Sequence, residues 1–152
     1  MNIFVFNKDP ILAADDMCKS HMIKMPLETT QMLCTSINLK GIQTKYKSCH
    51  MNHPCTIWTR QSKTNFNWLI EHGKRQFENY TTYFGKVHAS QEVFEQCEKY
   101  AYLFDDTGLT EFAQAMPDQY KNIDVEKAYR SYFIGEKQRL AVWKNKIPDW
   151  YK

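Results

Sequence analysis

The sequence predicts a mostly α-helical single domain over residues 1–152, with about four to five helices and a short extended N-terminal arm. Three observations predict this fold class. Apolar residues recur at three- and four-residue spacing over long stretches, as on one face of an α-helix. Proline, serine or aspartate stands at the start of these stretches, where such residues cap helices. The length of 152 residues and the hydrophobic content of 43% suffice for one buried core.

The first helical stretch follows the apolar arm MNIFVFN. Asp9 is expected as its N-cap, with Pro10 in the first turn, where proline loses no hydrogen bond. The apolar spacing then predicts one long helix over residues 10–36. Pro26 lies inside this helix and is expected to kink it, because proline removes a main-chain hydrogen bond. Residues 37–53 have the composition of a loop.

The second helix is expected to begin at Pro54 and to continue to Phe84. Its apolar pattern allows a break near Ser62 or near Gly73. Gly85 is suited to end the helix in a left-handed cap, since glycine adopts that conformation without steric cost.

The remaining helices are shorter or bounded by turn signals. Ser90 is expected to cap a third helix over about residues 91–104, which ends at a DDTG turn. A helical turn in TEFAQAM (110–116) should break at the following proline. Asp124 is expected to cap a last helix over about residues 125–146.

Composition restricts the compartment and the class of partner. No apolar run approaches the length of about 18 residues that a membrane span needs, so no membrane partner is predicted. The first 20 residues lack a secretory signal pattern, and the five cysteines are therefore expected as reduced thiols in a cytosol-like compartment. The net charge of +3 is compatible with a polyanionic partner but does not require one.

Three polar residues fall along one face of the first predicted helix. His21, Lys24 and Glu28 stand at positions i, i+3 and i+7, among apolar neighbours. Partial burial would perturb their pKa values, which is what an acid–base site requires. The alternative interpretation is an ordinary surface ion pair of Lys24 and Glu28 beside a half-buried histidine.

The stretch CHMNHPC (49–55) contains two cysteines and two histidines, which raises the question of a metal site. A zinc site would need ligands from two places, such as Cys18 and His21 together with His53 and Cys55. The spacing within the stretch is poor for zinc ligands, so neither a metal nor another cofactor is predicted.

The proline of this stretch favours a helix start instead. With Pro54 at the first helical position, His53 or Asn52 becomes the cap, and the free N–H groups of a helix start attract anions. We therefore expect Asn52, His53, Trp58 and Arg60 to bind a phosphate or to contact a base.

Two later segments carry polar residues at positions flanked by apolar ones. FAQAMPDQYK (112–121) and AYRSYFIGEK (128–137) combine cationic residues with tyrosines, which suits a phosphate-bearing substrate whose base can stack. Gly135 lies mid-helix at a cost of roughly 1 kcal/mol, which suggests close approach of a backbone or a ligand. A solvated basic face is the alternative. The predicted binding residues in the two segments are Gln114, Asp118, Lys121, Arg130 and Lys137.

Five segments together resemble a family of proteins carried by tailed phages. They are MNIFVFNKDP, HMIKMPLETTQML, NHPCTIW, FAQAMPDQYK and AYRSYFIGEK, and they cover nearly the whole chain. Members of that family tend to have aspartate where this chain has Lys19. The resemblance implies a protein acting in the cytoplasm of an infected bacterial host and implies no particular activity.

Three places more distantly resemble the phage pyrimidine-dimer DNA glycosylases of the endonuclease V type. His21 and Glu28 match the H-x6-E of that family's first helix, and the resemblance implies that Glu28 is the catalytic carboxylate. KRQFENY (74–80) and WYK (150–152) match two other segments, the latter on the family's DNA-facing surface.

The chain also departs from that family at two positions. Leu27 stands where the family has an arginine, and Asn2 follows Met1 where the family has a small residue behind a removable methionine. Because the family's nucleophile is the amine exposed by that removal, we expect Glu28-assisted hydrolysis here rather than an imine-forming lyase.

The sequence thus predicts a phage protein that cleaves an N-glycosidic bond in damaged or modified DNA or in nucleotides. Glu28, His21 and Lys24 are the predicted catalytic residues. Two alternatives stay open, namely a non-catalytic nucleic-acid-binding or host-takeover protein and an enzyme of nucleotide metabolism.

Overall fold

The computed structural model describes residues 1–151, which are mostly helical and contain no β-strand. The prediction of a mostly α-helical chain is therefore confirmed. Four 3₁₀ helices cover Glu98–Leu103, Asp118–Tyr120, Gln138–Leu140 and Asp149–Tyr151. The six α-helices of the described residues are α1 Pro10–Asp15, α2 Lys19–Asn38, α3 Pro54–Arg60, α4 Lys63–Phe84, α5 Gln91–Glu95 and α6 Val125–Glu136.

Helices α2 and α4 form the centre of the core, with α1 packed on α4 and α3 packed on α2. Gly73 of α4 allows α5 to approach closely. A Cβ atom at that position would lie 2.7 Å from Cζ of the buried Phe94 ring and 3.1 Å from Cγ2 of Thr29. The glycine thus serves helix packing, and α4 continues through it. Among residues 1–151 no helix is both long and apolar enough to cross a bilayer.

The N-terminal arm forms neither a helix nor a strand and lies inside the core. Ile3, Phe4, Val5 and Phe6 are each at most 4% exposed. Burial of such side chains contributes about 1.5–3 kcal/mol each, so the arm is an integral part of the fold. Phe4 has a φ of 57°, a left-handed conformation that is unusual for a bulky residue.

The predicted long helix over residues 10–36 is wrong in one respect, because the chain breaks between α1 and α2. Asp9 caps α1, with its carboxylate accepting from the N–H groups of Ile11 and Leu12, and Pro10 stands in the first turn as expected. The helix ends at Asp15 and a new one starts at Lys19. Helix α2 then continues through Pro26 to Asn38.

The C-terminal tail occupies this break, which explains it. The main-chain N–H of Lys19 donates to the carbonyl of Val142 at 2.7 Å, so the tail supplies an acceptor at the start of α2. The indole of Trp143 donates to the Asp16 carbonyl at 3.0 Å, and the indole of Trp150 donates to the Asp16 carboxylate at 2.9 Å. Burial there raises the pKa of Asp16, against the lowering effect of the Trp150 hydrogen bond.

The predicted last helix over residues 125–146 is too long, because the C-terminal tail makes these contacts instead of continuing the helix. Asp124 caps α6 as predicted, accepting from the N–H groups of Glu126 and Lys127, but the helix ends at Glu136. The residues beyond it turn back through a 3₁₀ helix to contact the break between α1 and α2. Tertiary hydrogen bonds thus replace ten residues of predicted helix.

The middle of the chain follows the predicted caps more closely. The break between α3 and α4 falls at Ser62, whose hydroxyl accepts from the N–H of Asn65, and Gly85 ends α4 in a left-handed conformation. The third helix is shorter than predicted, since α5 ends at Glu95 and a 3₁₀ helix follows. TEFAQAM is not helical, and the N–H of Ala115 within it donates to the hydroxyl of Tyr129 in α6.

All five cysteines are free thiols, as predicted. Cys34 and Cys97 lie closest to each other, with their sulfur atoms 3.8 Å apart in a hydrogen bond. That hydrogen bond is the largest influence on both thiols, lowering the pKa of Cys34 to about 7 and raising the pKa of Cys97.

Candidate active site

One cleft of about 610 Å³ opens between the N-terminal arm, α2, the start of α3, the segment 114–121 and the end of α6. This volume lies in the range of sites that bind small molecules. The polar residues that line it are Asn2, Ser20, His21, Lys24, Glu28, His53, Gln114, Lys121, Tyr132, Lys137 and Arg139.

The net charge of the chain is concentrated at this cleft. Of the 20 Lys and Arg residues, four line it, and of the 17 Asp and Glu residues only Glu28 does so among those the structure describes. The formal charges of the lining side chains therefore sum to +3, with Lys24 paired to Glu28 and Lys121 paired to Asp118 outside the lining. Such a focused field attracts an anionic ligand.

Glu28 is the polar centre of the cleft and is only 6% exposed. Its Oε1 atom lies 3.2 Å from the amino nitrogen of Met1 and accepts from the N–H of Asn2, also at 3.2 Å. Its Oε2 atom lies 3.6 Å from Nζ of Lys24, whose side chain is 71% exposed. The carboxylate is therefore held from one side by the N-terminal arm and from the other by an exposed surface cation.

Asn2 fixes the arm against this carboxylate. Its side-chain oxygen accepts from the N–H groups of Ile3 and Phe4, and its amide donates to the carbonyl of Ala115 at 2.9 Å. The two accepted bonds hold the turn in which Phe4 takes its left-handed conformation. Backbone strain of this kind is concentrated at functional sites in proteins.

The main chain of Met1 is partly exposed beside this carboxylate. The Met1 side chain is 2% exposed, whereas the residue as a whole is half-buried, so its exposure lies in the main chain. The site thus presents an amine and a carboxylate 3.2 Å apart at the cleft wall.

His21 lines the cleft as a neutral imidazole. Its ring stacks on Phe4 with centroids 4.2 Å apart, and burial, with smaller effects of Lys137 and Lys24, lowers its pKa to about 4. Nδ1 is buried and has no hydrogen-bond partner in residues 1–151. The ring can therefore serve as a hydrogen-bonding group near pH 7, but it carries no charge there.

The opposite wall of the cleft is the segment 113–123, which is fastened at three points. The hydroxyl of the buried Tyr129 donates to the Ala113 carbonyl at 2.9 Å and accepts from the N–H of Ala115. The amide of Gln114 donates to the carbonyl of Asn122 and accepts from its N–H, at 2.6 and 3.0 Å. The third point is the ring of Tyr120.

The Tyr120 ring packs against Gly135 of α6, where a Cβ atom would lie 2.7 Å from its Cε1 atom. The sequence predicted close approach of a backbone or a ligand at this glycine, whereas the structure places a tyrosine side chain of the same chain there. Lys121 follows directly and lines the cleft.

Seven of the residues predicted from sequence come together at the cleft, and they are His21, Lys24, Glu28, His53, Gln114, Lys121 and Lys137. Lys137 lies just after α6 with Nζ 5.4 Å from the centroid of the Tyr132 ring. Both the oxygen and the nitrogen of the Gln114 side-chain amide bond to the main chain of Asn122, so Gln114 shapes the cleft.

His53 caps α3, as predicted, with Nδ1 accepting from the N–H of Cys55 at 3.0 Å. Burial, and next the Met1 amine, lower the pKa of His53.

Two predicted residues near α3 are placed elsewhere. Trp58 is 1% exposed and stacks on Phe112 with centroids 5.1 Å apart, so it is a core residue and cannot stack on a base. Arg60 donates to the carbonyl of Met51 at 2.7 Å and does not line the cleft. Asn52 is exposed in the preceding loop and is likewise not part of the lining.

Two further predicted residues are also outside the cleft. Arg130 donates to the carbonyl of Phe6 at 2.9 Å and lies over the Trp150 ring, so it anchors the arm and the tail. Asp118 is 94% exposed and forms an ion pair with Lys121 at 2.9 Å, which lowers the pKa of Asp118.

Several residues of the lining were not predicted from the sequence, among them Asn2, Phe4, Ser20, Tyr132 and Arg139. Tyr132 and Arg139 stand close to the predicted Lys137 in the sequence, and this closeness could have indicated that they belong to the same site. Asn2 and Phe4 carry no such signal, because their role depends on the arm being threaded through the core.

The segments KRQFENY and WYK have structural roles where the structure describes them. Arg75 forms a bidentate ion pair with Asp15, and Gln76 accepts from the Thr29 hydroxyl at 2.7 Å. Trp150 packs near Phe6, with centroids 4.9 Å apart. Lys152 lies outside the described residues.

No group of three or more His, Cys, Asp or Glu residues in the described part of the chain is arranged to hold a metal ion. Comparisons of the chain with protein-family models, with curated proteins and with solved structures found no match.

Proposed function

We propose that this protein cleaves an N-glycosidic bond in damaged or modified DNA or in a nucleotide, with Glu28 as the catalytic carboxylate. The observation that carries the proposal is the position of Glu28. It is a carboxylate 6% exposed in the wall of an otherwise cationic cleft of nucleotide size. The Met1 amine, Lys24 and the Asn2 N–H compensate its charge, and a nearly buried carboxylate that lines a cleft is a candidate for a catalytic role.

The presence of one carboxylate rather than two favours an N-glycoside. Enzymes that cleave O-glycosides normally pair two carboxyl groups, because the departing alcohol oxygen must be protonated while a nucleophile is activated. Among the described residues lining this cleft, Glu28 has no second carboxylate beside it. A nucleobase delocalises the electron pair it receives, so the departure of a base depends less on a general acid.

The proposed step follows from this chemistry. The C1′–N bond breaks, and its electron pair goes to the base, while positive charge develops on the sugar ring. The Glu28 carboxylate stabilises that charge electrostatically and accepts a proton from the attacking water, whose oxygen forms the new bond to C1′. The departing base takes up a proton from solvent, and Glu28 returns the proton of the attacking water to solvent, so that one water is consumed and atoms and charges balance.

The cations at the cleft edge support the phosphate-bearing nature of the substrate. Lys121, Lys137 and Arg139 lie on the wall facing α2, where they can hold phosphate oxygens in the orientation that presents the sugar to Glu28. His21 contributes a neutral hydrogen-bonding group, and Tyr132 contributes a ring for the base.

The proposal is tested by measuring free-base release from ultraviolet-irradiated DNA, from DNA with modified bases and from free nucleotides. Release must be abolished or strongly reduced in Glu28→Gln. The matched control is Glu71→Gln, which removes an exposed carboxylate paired with Lys74 outside the cleft. Salt-sensitive binding with no release from any substrate would contradict the proposal and favour the non-catalytic nucleic-acid-binding alternative.

A further inference from the structure

Two of the four cationic side chains that line the cleft have no carboxylate partner. Lys24 and Lys121 are each paired with a carboxylate. Lys137 and Arg139 form no ion pair with any carboxylate of residues 1–151, and the guanidinium of Arg139 donates only at 3.5 Å, to the carbonyl of Glu136. Two positive charges at the cleft are therefore available to an anionic ligand.

These two cations lie beside the start of α2, at one end of the cleft. The chain that follows Arg139 reaches α2 at once, since the carbonyl of Val142 accepts from the N–H of Lys19. Burial, and next the charge of Lys137, lower the pKa of His21. Glu28 stands seven residues after His21 on α2, which at 1.5 Å per residue is about 10 Å along the helix. An anion bound by the two cations thus lies within the length of one small molecule of the carboxylate.

The cleft wall opposite α2 is acidic outside the cleft. The segment 105–126, which contains this wall, has six carboxylate side chains and one cationic side chain, Lys121. Three of the six are exposed in the wall or directly beside it and are called the acidic rim, namely Glu111, Asp118 and Asp124. A nucleic acid strand that left the cleft on this side would place its phosphates against the acidic rim, where like charges repel.

The depression next to this wall offers a strand no compensating charge. It has a volume of about 510 Å³, shares Gln114 with the cleft, and is lined by one cation, Lys8, and one carboxylate, Glu111. Its formal charge is therefore zero. Positive charge is confined to the cleft on this side of the molecule, which suits a ligand that ends inside the cleft.

We propose that the substrate of this cleft is a free nucleoside monophosphate, with its terminal phosphate bound by Lys137 and Arg139 and its sugar facing Glu28. This inference rests on the proposed function and narrows its substrate from DNA or a nucleotide to the nucleotide alone.

Charge and size both fit a terminal phosphate. A phosphate monoester carries about −1.5 to −2 charges near pH 7, whereas each phosphate within a strand carries one negative charge. Two cations without carboxylate partners match the monoester, and a guanidinium can bind two of its oxygens at once. The cleft volume of about 610 Å³ is in the range for one small molecule. Attraction in the cleft and repulsion at the acidic rim together give the selectivity.

The test compares binding of matched ligands by titration calorimetry. The probes are the 5′- and 3′-monophosphates of the four common deoxynucleosides, each with its methyl phosphodiester, and a 20-residue oligonucleotide. We expect at least one monophosphate to bind about tenfold or more tightly than its methyl diester and than the oligonucleotide. The inference is overturned if no monophosphate binds more tightly than its diester, or if the oligonucleotide binds more tightly than every monophosphate.

Single variants test the residues that bind the phosphate. Lys137→Gln and Arg139→Gln should each weaken monophosphate binding by about tenfold and leave the methyl diester less affected. Lys86→Gln, which removes an exposed cation outside the cleft, should change neither affinity. Equal losses for monophosphate and diester in both cleft variants would contradict recognition of a terminal phosphate.

A combined variant tests the acidic rim. Glu111→Gln, Asp118→Asn and Asp124→Asn together remove its three charges, and asparagine at position 124 still caps α6. We expect the oligonucleotide to bind about fivefold or more tightly to this variant, and the monophosphate affinity to change by less than about threefold. An unchanged oligonucleotide affinity would contradict the selective role of the rim.

The two proposals fail separately when base release is measured on the same ligands. Phosphate-dependent binding of a monophosphate, without base release from any substrate, contradicts the proposed function alone. Base release from DNA with a higher kcat/KM than from every monophosphate contradicts this inference alone and leaves the assignment of Glu28 in place.

Discussion

The amino nitrogen of Met1 lies 3.2 Å from Oε1 of Glu28, which joins the start of the chain to the central helix α2 at the candidate site. The pairing is reinforced by the N–H of Asn2, which donates to the same oxygen. An amine and a carboxylate at this distance can react in two ways. The carboxylate can activate water while the amine stays paired with it as a cation, or the amine itself can attack.

The first prediction concerns which of these two nucleophiles acts. A cationic amine has no free electron pair, so we expect water to attack and no covalent intermediate to form. Borohydride added during turnover should therefore leave the protein unlinked to DNA. A reduced adduct mapped by mass spectrometry to the Met1 amine would contradict hydrolysis and would identify that amine as the nucleophile.

The second prediction concerns the acid stability of the fold. His72 is fully buried with Nδ1 2.8 Å from the carbonyl of Pro10, and burial lowers its pKa from 6.5 to about 4. Between pH 4 and pH 6.5 the unfolded chain therefore binds more protons at His72 than the folded chain does. The stabilising effect of the neutral histidine is therefore complete above pH 6.5 and is lost as the pH falls toward 4, by about 3 kcal/mol.

His72→Asn is the variant that checks this prediction, because its amide can still donate to the Pro10 carbonyl but does not titrate. Urea unfolding at intervals from pH 7 to pH 4 should show a steeper loss of stability in wild type than in His72→Asn. Parallel pH dependences in the two proteins would show that His72 is not the responsible group.

The third prediction compares two glycines that each lie under an aromatic ring. In Gly73→Ala the new methyl group meets the buried ring of Phe94, which cannot move away, and we expect a loss of about 2 kcal/mol or more. In Gly135→Ala it meets the half-exposed ring of Tyr120, which can swing outward.

The cost of Gly135→Ala should therefore stay within about 1 kcal/mol, since alanine also favours the helix by a similar amount. Its main effect should fall on substrate binding, because Tyr120 fastens the segment that carries Lys121. Unfolding curves in urea measure both free energies. Equal losses in the two variants would contradict the difference in freedom between the two rings.

The fourth prediction concerns phosphate contacts at the cleft edge. If Lys137 holds a phosphate, Lys137→Gln should reduce the slope of log K against log salt by about 0.9. Lys86→Gln removes the same charge from an exposed position outside the cleft and should leave the slope unchanged. Binding isotherms between low and moderate salt measure the slope. Equal changes in both variants would indicate a diffuse charge effect without a contact at Lys137.

Local chemistry made much of the architecture predictable from the sequence. Asp9, His53 and Asp124 cap helices as predicted, and Gly85 ends α4 as expected. Ser62 caps α4 at one of the two places where the apolar pattern allowed a break. The stripe of His21, Lys24 and Glu28 faces the cleft because their spacing places them on one side of α2.

The incorrect predictions share a different physical cause, which is tertiary contact between distant segments. The tail residues 142–150 bond to Asp16 and Lys19, and this interrupts the first predicted helix and shortens the last. Trp58 and Arg130 were expected at the site because aromatic and cationic residues bind nucleotides. Both side chains instead take part in packing within the fold. Periodicity along one helix does not distinguish a packing residue from a ligand-binding residue.

The most direct test of the proposed chemistry is the single-turnover rate of base release by Glu28→Gln, compared with wild type and Glu71→Gln. The glutamine keeps the size and one acceptor oxygen of Glu28 but cannot stabilise a developing positive charge. We predict a fall of about 10²–10³-fold for Glu28→Gln and no change for Glu71→Gln. A rate in Glu28→Gln equal to that of wild type, in protein shown to be folded, would contradict the catalytic assignment of Glu28.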